Sequence, residues 1–230
     1  MGNTSIEQTS RSNTLVLEGL RNLKSASLFQ IIAWILSLIA IVVFVVGWIT
    51  AIIQSIKTFI TFGAYPGGIF GGFIGLGLVV AELILSIIGI TLSIISVFYL
   101  LSSVKKFVDW KPIDFSTPRK LLIGYLYGVI ILLIGIVVAA VLLFTGIPSL
   151  ALTMGVAFTV GGLIFLFVGW IGLIILFFRL KDVFNSSLFL IAGILVALFI
   201  AVIPQLVAWI LVYVETSTLE KKIESGLIQL

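Results

Sequence analysis

The sequence predicts an all-α protein: a polytopic membrane helical bundle of five transmembrane helices, N-terminus inside the cell and C-terminus outside. Three observations predict it. Of 230 residues, 61% are hydrophobic and 10% charged, against roughly 45–50% and 25% in a soluble domain. The apolar residues form long continuous runs without the period-2 alternation of a membrane barrel. Lys and Arg concentrate in every second gap between those runs, the pattern by which basic loops stay cytoplasmic.

Crossing ~30 Å of hydrocarbon at ~1.5 Å per residue takes about 20 apolar residues. Span one is read over 28–53, inside the charge-free run between Lys24 and Lys57. Span two covers 73–101 and is interrupted only by Glu82. Leu121 to Phe178 carries no charge at all, too long for one helix and enough for two. Thr145-Gly146-Ile147-Pro148-Ser149 marks the turn between them, since Gly and Pro punctuate helices. Spans three and four are therefore placed at 121–145 and 155–178, and span five at 188–214. No cleavable signal peptide is read, because the first apolar run starts late and exceeds an h-region. Runs this long imply tilted helices or a thick membrane.

Residues 1–26 are read as a cytoplasmic segment whose Val16, Leu20 and Leu23 share a helix face, lying along the inner membrane surface. Residues 215–230 are read as an extracellular polar tail, with Ile223, Leu227 and Leu230 at helical spacing. It either docks on the membrane or a partner, or frays. The orientation follows from ten basic residues on one side. These are Arg11, Arg21 and Lys24, then Lys105, Lys106, Lys111, Arg119 and Lys120, then Arg179 and Lys181. Lys57, Lys221 and Lys222 fall on the other. The glycan acceptor patterns at Asn3 and Asn185 lie inside on this reading and stay unmodified.

Composition also excludes function classes. Cys and His are both absent, which removes thiol chemistry, the commonest general base and the commonest metal ligand. Neither a metal site nor a cofactor is expected, and the chain is read as non-enzymatic. Thirteen scattered Lys and Arg do not make a phosphate-tracking surface, so nucleic acid is not an expected partner. The basic stretch 105–120 holds the inner face, and membrane lipids are the expected contact.

Four features remain. Gly67, Gly71 and Gly75 recur every fourth residue; on a helix such a glycine zipper lets another backbone approach closely. The stretch Gly63 to Gly72 is readable instead as a loop or re-entrant turn on the outer side, and the glycines read first as helix packing or a flexible turn and second as a pore-lining or gating segment. Glu82 is the one ionisable residue inside a span, so it is paired, protonated or facing water. Lys57 is its candidate partner, and together they are the candidate ion- or proton-handling site. Gly155, Gly162 and Gly169 recur every seventh residue and suit close packing against Gly124, Gly128 and Gly135 of span three. Pro204 inside span five predicts a kink.

Three segments carry a family resemblance. They are Glu18-Gly19-Leu20-Arg21, the stretch from Arg179 through Asn185-Ser186-Ser187-Leu188 to Gly193-Ile194-Leu195, and Ile203-Pro204 with Ile210-Leu211-Val212-Tyr213. Together they resemble the archaeal membrane proteins of domain-of-unknown-function family 973. The resemblance implies a crenarchaeal source and the cell (plasma) membrane; it implies no activity or site residues. The expected function is a structural or accessory membrane subunit, packing against itself as a homo-oligomer or within a membrane complex. The alternative is a small oligomeric channel or carrier using the Gly-rich segment and Glu82.

Overall fold

Where hydrocarbon offers no partner for backbone N–H and C=O groups, a chain satisfies them within helices. The computed structural model describes residues 3–62, 69–198 and 202–228, with side chains from residue 12 onward and gaps between 51 and 83. Its helices are α1 (Asn3–Phe62), α2 (Ile69–Trp110), α3 (Pro112–Phe144), α4 (Pro148–Phe184), α5 (Ser187–Ala197) and α6 (Val202–Glu224). Five are long and apolar enough to cross a membrane: Ser12–Thr50 within α1, Val80–Trp110 within α2, and all of α3, α4 and α6. The 11 residues of α5 rise only about 16 Å.

The helix boundaries correct several expectations. α1 is one unbroken helix of 60 residues, with neither Gly nor Pro between Leu20 and Val46 to interrupt it. Residues 14–26 are therefore not a separate interfacial helix: Val16, Leu20 and Leu23 are fully buried against protein. The basic stretch 105–120 is helical except for Lys111, the N-cap of α3. Pro112 starts that helix and Pro148 starts α4, because a first-turn proline lacks an N–H that would have no partner anyway. α4 thus begins seven residues before the expected 155. The tight turn before it uses Gly146 in the left-handed region, at φ 79°.

The expected span 188–214 is two helices, α5 and α6. Pro204 is consequently the third residue of α6, in the turn where its missing donor costs nothing, and not a kink within a helix. α6 also continues to Glu224, so 215–224 is helix, with Leu219 and Ile223 buried and Leu227 exposed. Leu230 lies outside the described residues.

The chain divides into two compact units. One, Phe29–Ile95, holds the apolar lengths of α1 and α2. A Cβ on its Gly89 would lie 3.7 Å from both the Ala33 carbonyl and Ser37 Oγ, so the two helices run close there. Val42 and Trp48 stand exposed, as side chains facing lipid do.

The other unit is Met1–Leu28 with Ser96–Leu230. Here α3 and α4 pack antiparallel: Gly172 meets Leu121, Gly169 meets Tyr125, Gly162 meets Gly128 and Leu132, and Gly155 meets Ala139. The fully buried large side chains include Phe107, Phe115, Phe177 and Phe189. Phe107 and Phe115 lie 5.2 Å apart, Trp110 stacks on Phe184 at 6.0 Å, and Phe177 meets Trp209 edge-on at 5.8 Å. Such ring pairs add roughly 0.5–1.5 kcal/mol beyond area burial.

Candidate functional site at the charged helix ends

On a helix, residues three or four apart share a face. Arg21 and Lys24 form one such pair on α1, and Glu220 and Glu224 another on α6. The fold sets these faces together. Arg21 Nε donates to Glu220 at 2.9 Å, Arg21 Nη2 to Glu224 at 2.7 Å, and Lys24 Nζ to the second oxygen of Glu220 at 3.0 Å. Lys24 also lies 5.9 Å from the Tyr213 ring centre, within cation–π range. Arg21 and Lys24 of α1 and Glu220 and Glu224 of α6 are thus neighbours.

Glu220 stands six residues beyond Val214, where the apolar stretch of α6 ends. Burial works to raise its carboxyl pKa and is the largest single influence, but the hydrogen bonds and charges of Arg21 and Lys24 together outweigh it. The group is held below its ordinary 4.5 and stays ionised. Arg21 is held further into its charged form by its bonds to Glu220 and Glu224.

The same length of α1 is fastened to α2. Ser96 Oγ donates to the Ala26 carbonyl at 2.8 Å and Ser103 Oγ to the Gly19 carbonyl at 2.7 Å. Lys106 pairs with Glu18. Gly19 matters because a Cβ there would reach within 2.7 Å of the Phe107 ring. Nothing in the linear sequence pairs Arg21 with Glu220, 199 positions away. The only signal was opposite charge at helical spacing on two segments.

Gln205 was also missed as a structural residue. It is buried, and its Nε2 donates to the Val196 carbonyl at 2.9 Å. Val196 stands in the last turn of α5, whose carbonyls have no helical partner. Gln205→Met is expected to cost about 1–2 kcal/mol by leaving that carbonyl unpaired. Pro204→Ala, one residue away, should change stability by less than about 0.5 kcal/mol. Thermal unfolding in detergent compares the two, and a larger loss from Pro204→Ala would contradict this placement.

Among the expected site residues, Glu82 is on α2 and half-buried, with no ion-pair partner among the described residues. Lys57 is on α1, but its side chain lies outside the described residues, and so does any Glu82–Lys57 pairing. Gly67 and the stretch 63–68 also lie outside them. Gly71 and Gly75 are on α2, their surroundings undescribed. Gly155, Gly162 and Gly169 line the α3–α4 contact. Among the described residues, no three acidic side chains gather as they would around a metal ion.

A family profile described as protein of unknown function (DUF973) matches residues 16–230. The chain belongs to that family. The matched length begins at Val16, which is fully buried, so in this family 973 member it takes in both α1 and α6 sides of the ion-pair cluster. No curated protein and no solved structure matches the chain.

Proposed function

We propose that this family 973 protein is a non-enzymatic, multi-pass protein of an archaeal cell membrane that acts as a structural or accessory subunit. One observation carries the reading. Of the six buried polar side chains among the described residues, five are spent on backbone carbonyls, Ser186 being the exception. Ser27 donates to the Leu23 carbonyl, Ser96 to Ala26, Ser103 to Gly19, Gln205 to Val196 and Thr216 to Val212. Ser96, Ser103 and Gln205 fasten one helix to another while Ser27 and Thr216 bond within their own, and groups used in this way offer no acid, base or nucleophile to a substrate. Arg21 and Lys24 likewise pair with Glu220 and Glu224, and Lys106 with Glu18.

The glycine-lined α3–α4 contact supports a packing role, and exposed side chains such as Val42, Trp48, Ile136 and Val137 support direct lipid contact. Partners, on this reading, are lipids and either further copies or another membrane subunit. Purified in mild detergent, the protein should run as a species larger than its 24.9 kDa chain, by light scattering corrected for bound detergent. Reconstituted into liposomes, it should leave ion and proton flux at the level of empty vesicles. Flux that rises with protein and falls in Glu82→Gln would replace this reading with a channel or carrier.

A further inference from the structure

We infer that α5 and α6 form a re-entrant pair, so that the chain crosses the membrane four times and both its ends lie in the cytoplasm. The inference rests on the membrane reading above and adds a topology to it. Its first support is geometry within one compact unit. After Asn185 ends α4 in the left-handed conformation, at φ 49°, the chain turns back along α4. Phe189 meets Phe184 at 6.4 Å, and a Cβ on Gly193 would touch Phe177 Cβ at 3.4 Å. The 11 residues of α5 carry it about 16 Å, half of a ~30 Å hydrocarbon layer. α6 then returns beside it. Gln205 bonds to Val196, and Trp209 meets the same Phe177 that faces Gly193. Further along α6, Glu220 and Glu224 reach Arg21, on the N-terminal length of α1.

The second support is the charge inventory, which is independent of the helix packing. With five crossings, three basic residues, Lys57, Lys221 and Lys222, face outward. With four crossings and a re-entrant pair, Lys221 and Lys222 join the inner side, and Lys57 is the only outward Lys or Arg among 13. The positive-inside bias therefore sharpens from 10 against 3 to 12 against 1. Among the nine acidic residues, only Glu82 stays outside that inner group. A non-crossing pair also accounts for two short apolar pieces, α5 and the Val202–Val214 start of α6, where the sequence offers one full span. Helices at membrane depth end only where protein or water covers the break, and Gln205 supplies part of that cover for α5.

The chain contains no Cys, so single cysteines report directly. Ser12→Cys, Ser225→Cys and Thr145→Cys place one thiol near each end and one in the α3–α4 turn. Intact cells are treated with a membrane-impermeant maleimide, before and after permeabilisation. Ser12→Cys and Ser225→Cys should label at least tenfold more after permeabilisation, and Thr145→Cys equally in both. A reporter that fluoresces only when folded in the cytoplasm, fused after Leu230, should light up, with no substitution in the chain. Labelling of Ser225→Cys in intact cells while Ser12→Cys stays protected would overturn the re-entrant pair. Labelling of both ends from outside would overturn their cytoplasmic placement. Chain released by alkaline carbonate would instead sink the membrane reading beneath it.

Discussion

Gly169→Ala should destabilise the protein by about 1–3 kcal/mol, the range for overfilling a closely packed site, whereas Gly155→Ala should not. The two glycines belong to one period-seven series, yet their surroundings differ. A Cβ on Gly169 would sit 2.6 Å from Tyr125 Cα, so backbone would have to move. Gly162 is similarly placed, with the Gly128 carbonyl 3.1 Å away and Leu132 Cγ at 2.6 Å. A Cβ on Gly155 would find Ala139 Cβ at 3.6 Å, ordinary van der Waals contact. There, replacing a helical glycine should recover up to about 0.5–1 kcal/mol of backbone entropy. Thermal unfolding in detergent of the two variants tests this, and equal melting temperatures would show that α3 and α4 do not pack as described.

Glu220→Gln should lower the melting temperature at neutral pH by a few degrees and make no difference well below pH 4. The sign follows from the depressed carboxyl. A group whose folded pKa lies below its ordinary 4.5 contributes stability above that value and loses it as pH falls through the folded value. The wild-type advantage should therefore shrink in acid until the two proteins coincide. Exposed ion pairs contribute little, but Glu220 is 14% exposed and holds two cations at once. Glu220→Arg should be worse than Glu220→Gln, because it sets a third cation beside Arg21 and Lys24. Adding Arg21→Glu should recover part of the loss. A pH-independent difference between Glu220→Gln and wild type would mean the ion pairs do not hold α6 to α1.

The five helices long and apolar enough to cross a membrane were legible because they rest on composition and run length. The same holds for the α3–α4 turn, where Gly146 and Pro148 fix backbone conformation locally. Family membership rested on short segments, among them Glu18 to Arg21 and Ile203-Pro204, that fall within the matched residues 16–230. The break within 188–214 was not read because hydropathy counts apolar residues without regard to chain direction, so α5 and the apolar start of α6 look like one run. Val16, Leu20 and Leu23 were assigned to a membrane surface because an apolar helix stripe does not say whether protein or lipid covers it.

By itself, then, the sequence determined that this chain is helical and apolar, with its Lys and Arg gathered between the apolar runs, since each property sums over local residues. The tertiary structure alone decided which faces meet: Gly169 on Tyr125, Gln205 on Val196, and Arg21 on a glutamate 199 residues away. Those contacts depend on how the helices turn back on one another. Charge, size and spacing fix what a side chain offers, and only the folded path supplies the partner that takes it up.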